Sequence, residues 1–375
     1  MSDKIKVMSV FGTRPEAVKM CPLVIELCSR TGIKSLVALT GQHRSMLDSV
    51  MTAFGVAADY DLDIMRPNQT PTDIAANVML GLDGILREEK PDLVLVHGDT
   101  TTSFAAALTA FHLQIPVGHV EAGLRTYDKY SPFPEEMNRT LMGKIASLHF
   151  APTEKNKQNL IREGVSERNI YVTGNTVIDS FRYTVSDDYK FECEALEKID
   201  FRKYKTVVLT AHRRENHGDG IESICRAVTA LEERFPNVLF IYPVHLSPAV
   251  RDTVFPILCG HERVILTDPL SLSDMHNLIK RSYMVLTDSG GIQEEAPSLG
   301  SPVLVLRTET ERPEAVEAGT VKVIGTNAND IVREASLLLS DADEYSRMAK
   351  SVNPYGDGHA SERIADAIIS YFSQS

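Results

Sequence analysis

At 375 residues, with 43% hydrophobic and 24% charged side chains, the chain is long enough for two ordinary globular domains, each with its own core. A formal net charge of −12 leaves no positive footprint for nucleic acid or an anionic membrane surface, so an anionic ligand must find a local positive site. Five scattered cysteines without a CxxC pair, and no apolar run of the roughly 18 residues that a span needs, predict reduced thiols, a cytoplasmic setting and no membrane insertion.

Short apolar runs alternate with amphipathic stretches from end to end. In the first half the runs occupy residues 5–11, 35–39, 93–97, 116–120, 148–151 and 170–172. In the second half they occupy 206–210, 238–244, 264–267, 284–287, 303–306 and 321–324. Each reads as a strand buried on both faces of a parallel sheet, since such strands show continuous Val, Ile and Leu rather than alternation. Helical stretches at 71–89, 100–114, 221–234, 271–280 and 329–339 lie between them. The first run follows Met1 too closely for a secretory signal core. The alternation predicts an α/β fold of two Rossmann-like, doubly wound domains, residues 1–173 and 174–358. A last helix within 359–375 is expected to pack back on the first domain.

Ligands in such sheets bind beyond the carboxyl ends of the strands, so the residues after each run are the candidates. The first is Gly12-Thr13-Arg14-Pro15, with Lys19 about one turn on. Pro15 suits a first helical turn, and Arg14 with open N–H groups would hold a phosphate; a plain tight turn with a solvated arginine is the other reading. Asp99 and Glu121 each end a strand, and Glu135 and Glu136 open a helix. Carboxylates gathered at strand ends push at least one pKa up, as acid–base chemistry needs, although acids in a first turn are also ordinary dipole partners. His212 with Arg213 and Arg214 makes a diphosphate clamp and a proton donor, and His245 ends another strand. A metal site is the alternative for the histidines, but HExxH, cysteine clusters and EF-hand loops are missing from the sequence. Ser289, Gly290 and Gly291 begin a helix where a phosphate could approach the backbone, and Glu295 one turn later suits a ribose diol; an N-cap with a glycine-rich turn is the lesser alternative. Composition and spacing thus reach an anionic, diol-bearing ligand held between two Rossmann-like domains, and stop there.

The runs FGTRPEAVKM, VHGDTTT, HVEAGLRT, SPFPEEMNR, AHRREN, YPVH, TDSGGIQEEAPSLG and ERPEA, in this order and spacing, resemble the non-hydrolysing UDP-N-acetylglucosamine 2-epimerases. The resemblance spans nearly the whole chain, to NPYGDGHAS. It implies a glycosyltransferase-B-like fold facing a central cleft, with UDP-GlcNAc and UDP-ManNAc as substrate and product, a homodimer, and a role in cell-surface polysaccharide synthesis. Neither NAD nor a metal is expected. Arg14, Lys19 and Arg213 would lie on the nucleotide side, with Ser289, Gly290 and Gly291 at the diphosphate and Glu295 at the ribose. Asp99, Glu121, Glu135 and His212 would fall on the catalytic positions. In some relatives a second substrate molecule activates the enzyme, at positions resembling Gln42, Gln69, Glu136, Arg213 and His245; the match departs at Ser45 and Asn68. Three rivals remain: a hydrolysing epimerase, a glycosyltransferase of the same fold, and a non-catalytic UDP-sugar sensor. The trio Asp99, Glu121 and Glu135 is more than the last two need.

Overall fold

The computed structural model describes residues 4–373 except 42, 43 and 67, so Gln42 lies outside the described residues. The chain forms two compact units, Met1–Tyr183 with Tyr355–Ser375, and Thr184–Pro354.

Among the described residues, the first unit holds β1 (Ile5–Phe11), β2 (Ile33–Leu39), β3 (Tyr60–Asp61), β4 (Leu93–His97), β5 (Val117–Val120), β6 (Leu148–Ala151) and β7 (Ile170–Val172). They pair in the order β3-β2-β1-β4-β5-β6-β7, every pair parallel. Its helices include α1 (Arg14–Ser29), α2 (Arg44–Phe54), α3 (Pro71–Glu89), α4 (Thr101–His112), α5 (Glu135–Ile145) and α6 (Glu154–Arg162). Every residue of β4 is buried, as its unbroken LVLVH run requires of a central parallel strand. Met8, Val10, Val94 and Val96 pack with Ala105, Ala106 and Leu82 from α4 and α3 in one core. The strand at residues 60–61 is too short to show as an apolar run. It pairs with the end of β2, beside an Asp59 carboxylate that accepts the Val37 N–H at 2.8 Å.

The second unit holds β8 (Lys205–Thr210), β9 (Val238–Pro243), β10 (Val264–Thr267), β11 (Met284–Thr287), β12 (Val303–Val305) and β13 (Val321–Val323). Their order is β10-β9-β8-β11-β12-β13, again all parallel. Renumbered within the unit this is 3-2-1-4-5-6, the doubly wound order, and the first unit repeats it with one strand added. Each sheet therefore reverses its winding once, between β1 and β4 in the first unit and between β8 and β11 in the second. A switch point opens a crevice at the carboxyl ends, because the connections leave it in opposite directions.

The helix Ala360–Ser373 belongs to the first unit, where it packs on α1. Its start is held by Asp179, whose buried carboxylate accepts the N–H groups of Ser361 at 2.7 Å and Ala360 at 3.2 Å. A side chain distant in sequence thus does the work of an N-cap. Asp179→Ala is expected to cost about 1–2 kcal/mol, seen as a fall of a few degrees in Tm, whereas Asp179→Asn, which keeps one acceptor oxygen, should lose less.

Candidate active site

At the first switch point, Thr13 caps α1 and Glu16 completes a capping box. The Glu16 carboxylate is buried and accepts the N–H groups of Gly12 at 3.0 Å and Thr13 at 2.8 Å, and the Thr100 hydroxyl at 2.6 Å. This changes the reading of that loop. Two of the N–H groups expected to meet a phosphate are already bonded to the chain's own anion, leaving Arg14 on the first turn as the cationic contribution. Lys19 points elsewhere: its Nζ lies 2.5 Å from Oε2 of Glu121.

Glu121 follows β5 with a left-handed backbone, φ 61°, which a side chain other than glycine adopts only at a cost. Its carboxylate is only 7% exposed and meets Lys19 and, at 2.7 Å, Nε2 of His97. Asp99 follows β4 and pairs with Nη2 of Arg139 at 3.0 Å, while the neighbouring Asn138 donates to the Asp99 carbonyl at 2.9 Å. Both partners come from α5, the helix that Glu135 opens. Loss of water around Asp99 pushes its carboxyl above the ordinary aspartate range; Arg139 opposes, and the charges of Glu121 and Glu135 push the same way. The structure therefore brings Asp99, Glu121 and Glu135 into one electrostatic group. Glu136 is engaged otherwise, its two oxygens accepting the N–H groups of Thr126 and Tyr127 at 3.1 and 2.9 Å. Gln69 braces its own turn, donating to the Ile64 carbonyl and accepting the Arg66 N–H.

At the second switch point the organising residue is Asp288, fully buried at the end of β11. One oxygen accepts the N–H groups of His212 and Arg213, each at 2.8 Å, and Nδ2 of Asn216 at 3.0 Å; the other lies 3.1 Å from Nδ1 of His212. Burial pushes this carboxyl up, but the bonds from His212 and the Arg213 backbone outweigh it and hold the group below the usual range. The His212 ring stacks on His245 with centroids 5.3 Å apart. Burial, and then the charges of His212 and His217, push His245 below its ordinary value.

The helix Gly290–Ser298 begins beside this loop, and the Ser289 side chain makes no capping bond to it. A Cβ placed on Gly290 would lie 3.7 Å from Nη2 of Arg213 and 3.9 Å from Nη2 of Arg312. Two guanidinium groups thus flank a glycine-led helix start, where first-turn N–H groups and the dipole favour an anion. Arg312 is itself paired with the buried Glu294. One turn on, a Cβ on Gly291 would lie 3.3 Å from Oε1 of Glu295, whose Oε2 is 3.5 Å from Nε2 of His276. Among the described residues no group of three or more His, Cys, Asp and Glu side chains is placed to hold a metal ion.

Sequence reading missed Asp288, Arg139, Arg312, Glu16, His97 and His119. Asp288 and the two histidines stand inside the strand-end motifs. Their signal was a polar side chain next to the strand-end residue.

Two parallel, doubly wound units, one with strand-end carboxylates and one with an arginine-flanked helix start, define a protein of the glycosyltransferase-B-like fold. Residues 26–369 match the family model described as UDP-N-acetylglucosamine 2-epimerase. The chain is 52% identical over 369 residues to the UDP-N-acetylglucosamine 2-epimerase of Bacillus subtilis (98% of this chain, 96% of that one) and 50% identical to that of Escherichia coli K12 (97% and 98%). The crystal structure of the Neisseria meningitidis UDP-GlcNAc 2-epimerase bound to UDP-GlcNAc superposes with a TM-score of 0.88 at 47% identity, covering 97% of this chain and all of that one. The chain belongs to the UDP-N-acetylglucosamine 2-epimerase family.

Proposed function

We propose that this chain interconverts UDP-GlcNAc and UDP-ManNAc by inverting C2 of the sugar, without net hydrolysis. The hydrogen at C2 is not α to a ketone, so simple deprotonation and reprotonation would be very slow. Elimination avoids this: a proton leaves C2, the C1–O bond to UDP breaks, and 2-acetamidoglucal and UDP form. Re-addition of UDP at C1 and of a proton at C2 from the other face gives the epimer. Such a route needs carboxyl groups in different protonation states and cations for the departing diphosphate. The observation that carries the reading is the pair of strand-end carboxylates, Asp99 against Arg139 at 3.0 Å and Glu121 against Lys19 and His97 at 2.5 and 2.7 Å.

In this reading Asp99, Glu121 and Glu135 share the proton transfers. His212, Arg14 and Arg213 stabilise the diphosphate, with Ser289, Gly290 and Gly291 presenting the helix start and Glu295 accepting from the ribose. Lys19, against Glu121, adds positive charge on the side of the reacting anion. The same reading has the enzyme working as a homodimer in the cytoplasm; no helix among the described residues is long and apolar enough to cross a membrane. It also assigns activation by a second UDP-GlcNAc to Gln42, Gln69, Glu136, Arg213 and His245, which a strictly hyperbolic rate curve would remove.

Separating the products of an incubation with UDP-GlcNAc tests the reaction class. UDP-ManNAc should accumulate to an equilibrium mixture with total nucleotide sugar conserved. Free UDP with N-acetylmannosamine would instead establish hydrolysing chemistry, and binding without turnover a sensor.

A further inference from the structure

Two buried histidines stand on neighbouring strands of the first sheet, each reaching to the strand end of the other. His119 on β5 is fully buried, and its Nε2 lies 2.7 Å from the carbonyl oxygen of Gly98, the residue before Asp99. His97 on β4 is 4% exposed, and its Nε2 lies 2.7 Å from Oε2 of Glu121, the residue after β5. Both strand ends turn through left-handed backbone, Gly98 with φ 64° and Glu121 with φ 61°. The Gly98 N–H also donates to the Val120 carbonyl at 2.9 Å, so this turn is tied to the neighbouring strand on both sides.

A carbonyl can only accept, so His119 must carry its proton on Nε2. Burial pushes the ring down to about 3, which keeps it neutral and holds that tautomer across the working pH range. Its Nδ1 is buried with no hydrogen-bond partner among the described residues. A position that strands one polar atom while satisfying the other is expensive, and an apolar residue would fill it more cheaply. Neither ring nitrogen of His97 makes a hydrogen bond among the described residues, so its 2.7 Å approach to Glu121 is a close contact only.

We propose that His119 and His97 are paired positioning residues across β4 and β5, in which His119 holds the Asp99 turn by a hydrogen bond and the His97 ring fixes the place of the Glu121 carboxylate by close contact. The pairing rests on the catalytic reading of Asp99 and Glu121. It acts on the geometry of those carboxylates and touches neither nucleotide nor sugar.

The test uses the full chain and the initial rate of UDP-GlcNAc epimerisation. In His119→Gln the amide nitrogen can reach the place of Nε2; in His119→Asn it falls one methylene short; His119→Leu removes the donor. The Asn and Leu variants are expected to lose roughly 10–100-fold in kcat with KM changed by less than about 3-fold, and Gln to recover most of the rate. His97→Ala, which removes the ring from beside Glu121, should likewise lower kcat with KM little changed, and UDP affinity by calorimetry should stay unchanged throughout. A folded His119→Asn or His119→Leu protein with kcat within about twofold of the parent overturns the proposal, as do Gln and Asn variants that are equally impaired or equally unfolded. Asp99→Asn runs beside them: if it keeps full turnover, the catalytic reading fails, whatever the histidine variants do.

Discussion

Asp99→Asn and Glu121→Gln should each lower kcat by roughly 10²–10⁴-fold, the range carried by a positioned acid or base. The substitutions keep size and shape. In Asp99→Asn the amide oxygen can still accept from Arg139, and the bond from Asn138 to the Asp99 backbone is untouched. What is lost is the exchangeable proton, so the deficit should fall on kcat while UDP binds as before. Asp99 also has a signature of its own. Desolvation holds its carboxyl above the ordinary aspartate range, so the pH–rate profile of the parent should carry an inflection above that range, and Asp99→Asn should remove it. Near-normal turnover in either variant would take that residue out of the mechanism.

The second large effect is expected at a residue buried away from solvent. Asp288→Ala removes the acceptor for two backbone N–H groups, the Asn216 amide and the His212 ring, all gathered at one buried point. Stranding buried donors costs about 1–3 kcal/mol each, so even with partial relaxation the second unit should lose about 3 kcal/mol or more of stability. UDP affinity should fall with it, because the loop carrying His212 and Arg213 loses its anchor. The pH dependence has a definite sign. The folded pKa of Asp288 is depressed, so its contribution is present above the unfolded value of about 3.9 and is lost as pH falls through the folded value. Denaturant unfolding of the parent and Asp288→Ala should therefore differ most near neutral pH and converge on acidification. A difference that grows at low pH would contradict the assignment.

Most strands were legible in the amino-acid order because parallel strands buried on both faces are written as unbroken apolar runs, as in β4 and β11. The strand Tyr60–Asp61 escaped because two residues carry no period and its place depends on the register with β2. Asp99 and Glu121 were visible for a related reason: a polar residue directly after an apolar run falls at the carboxyl edge of a sheet. The partners of those residues were not visible. Glu16 fills its own helix start from within the FGTRPEAVKM run, but its bond to Thr100 joins residues 84 apart in sequence. The contact from His119 to Gly98 exists only because β4 and β5 are adjacent and in register, Val96 opposite His119. Strand order decides such pairs, and strand order is a property of the folded sheet.

Proton transfer at C2 is the central step, and proton NMR of the enzyme with UDP-GlcNAc in D2O reads it. The predicted result is loss of the C2 proton signal through deuterium incorporation, in a mixture of UDP-GlcNAc and UDP-ManNAc. Formation of UDP-ManNAc with its C2 proton fully retained would contradict the elimination and re-addition assigned to these carboxylates.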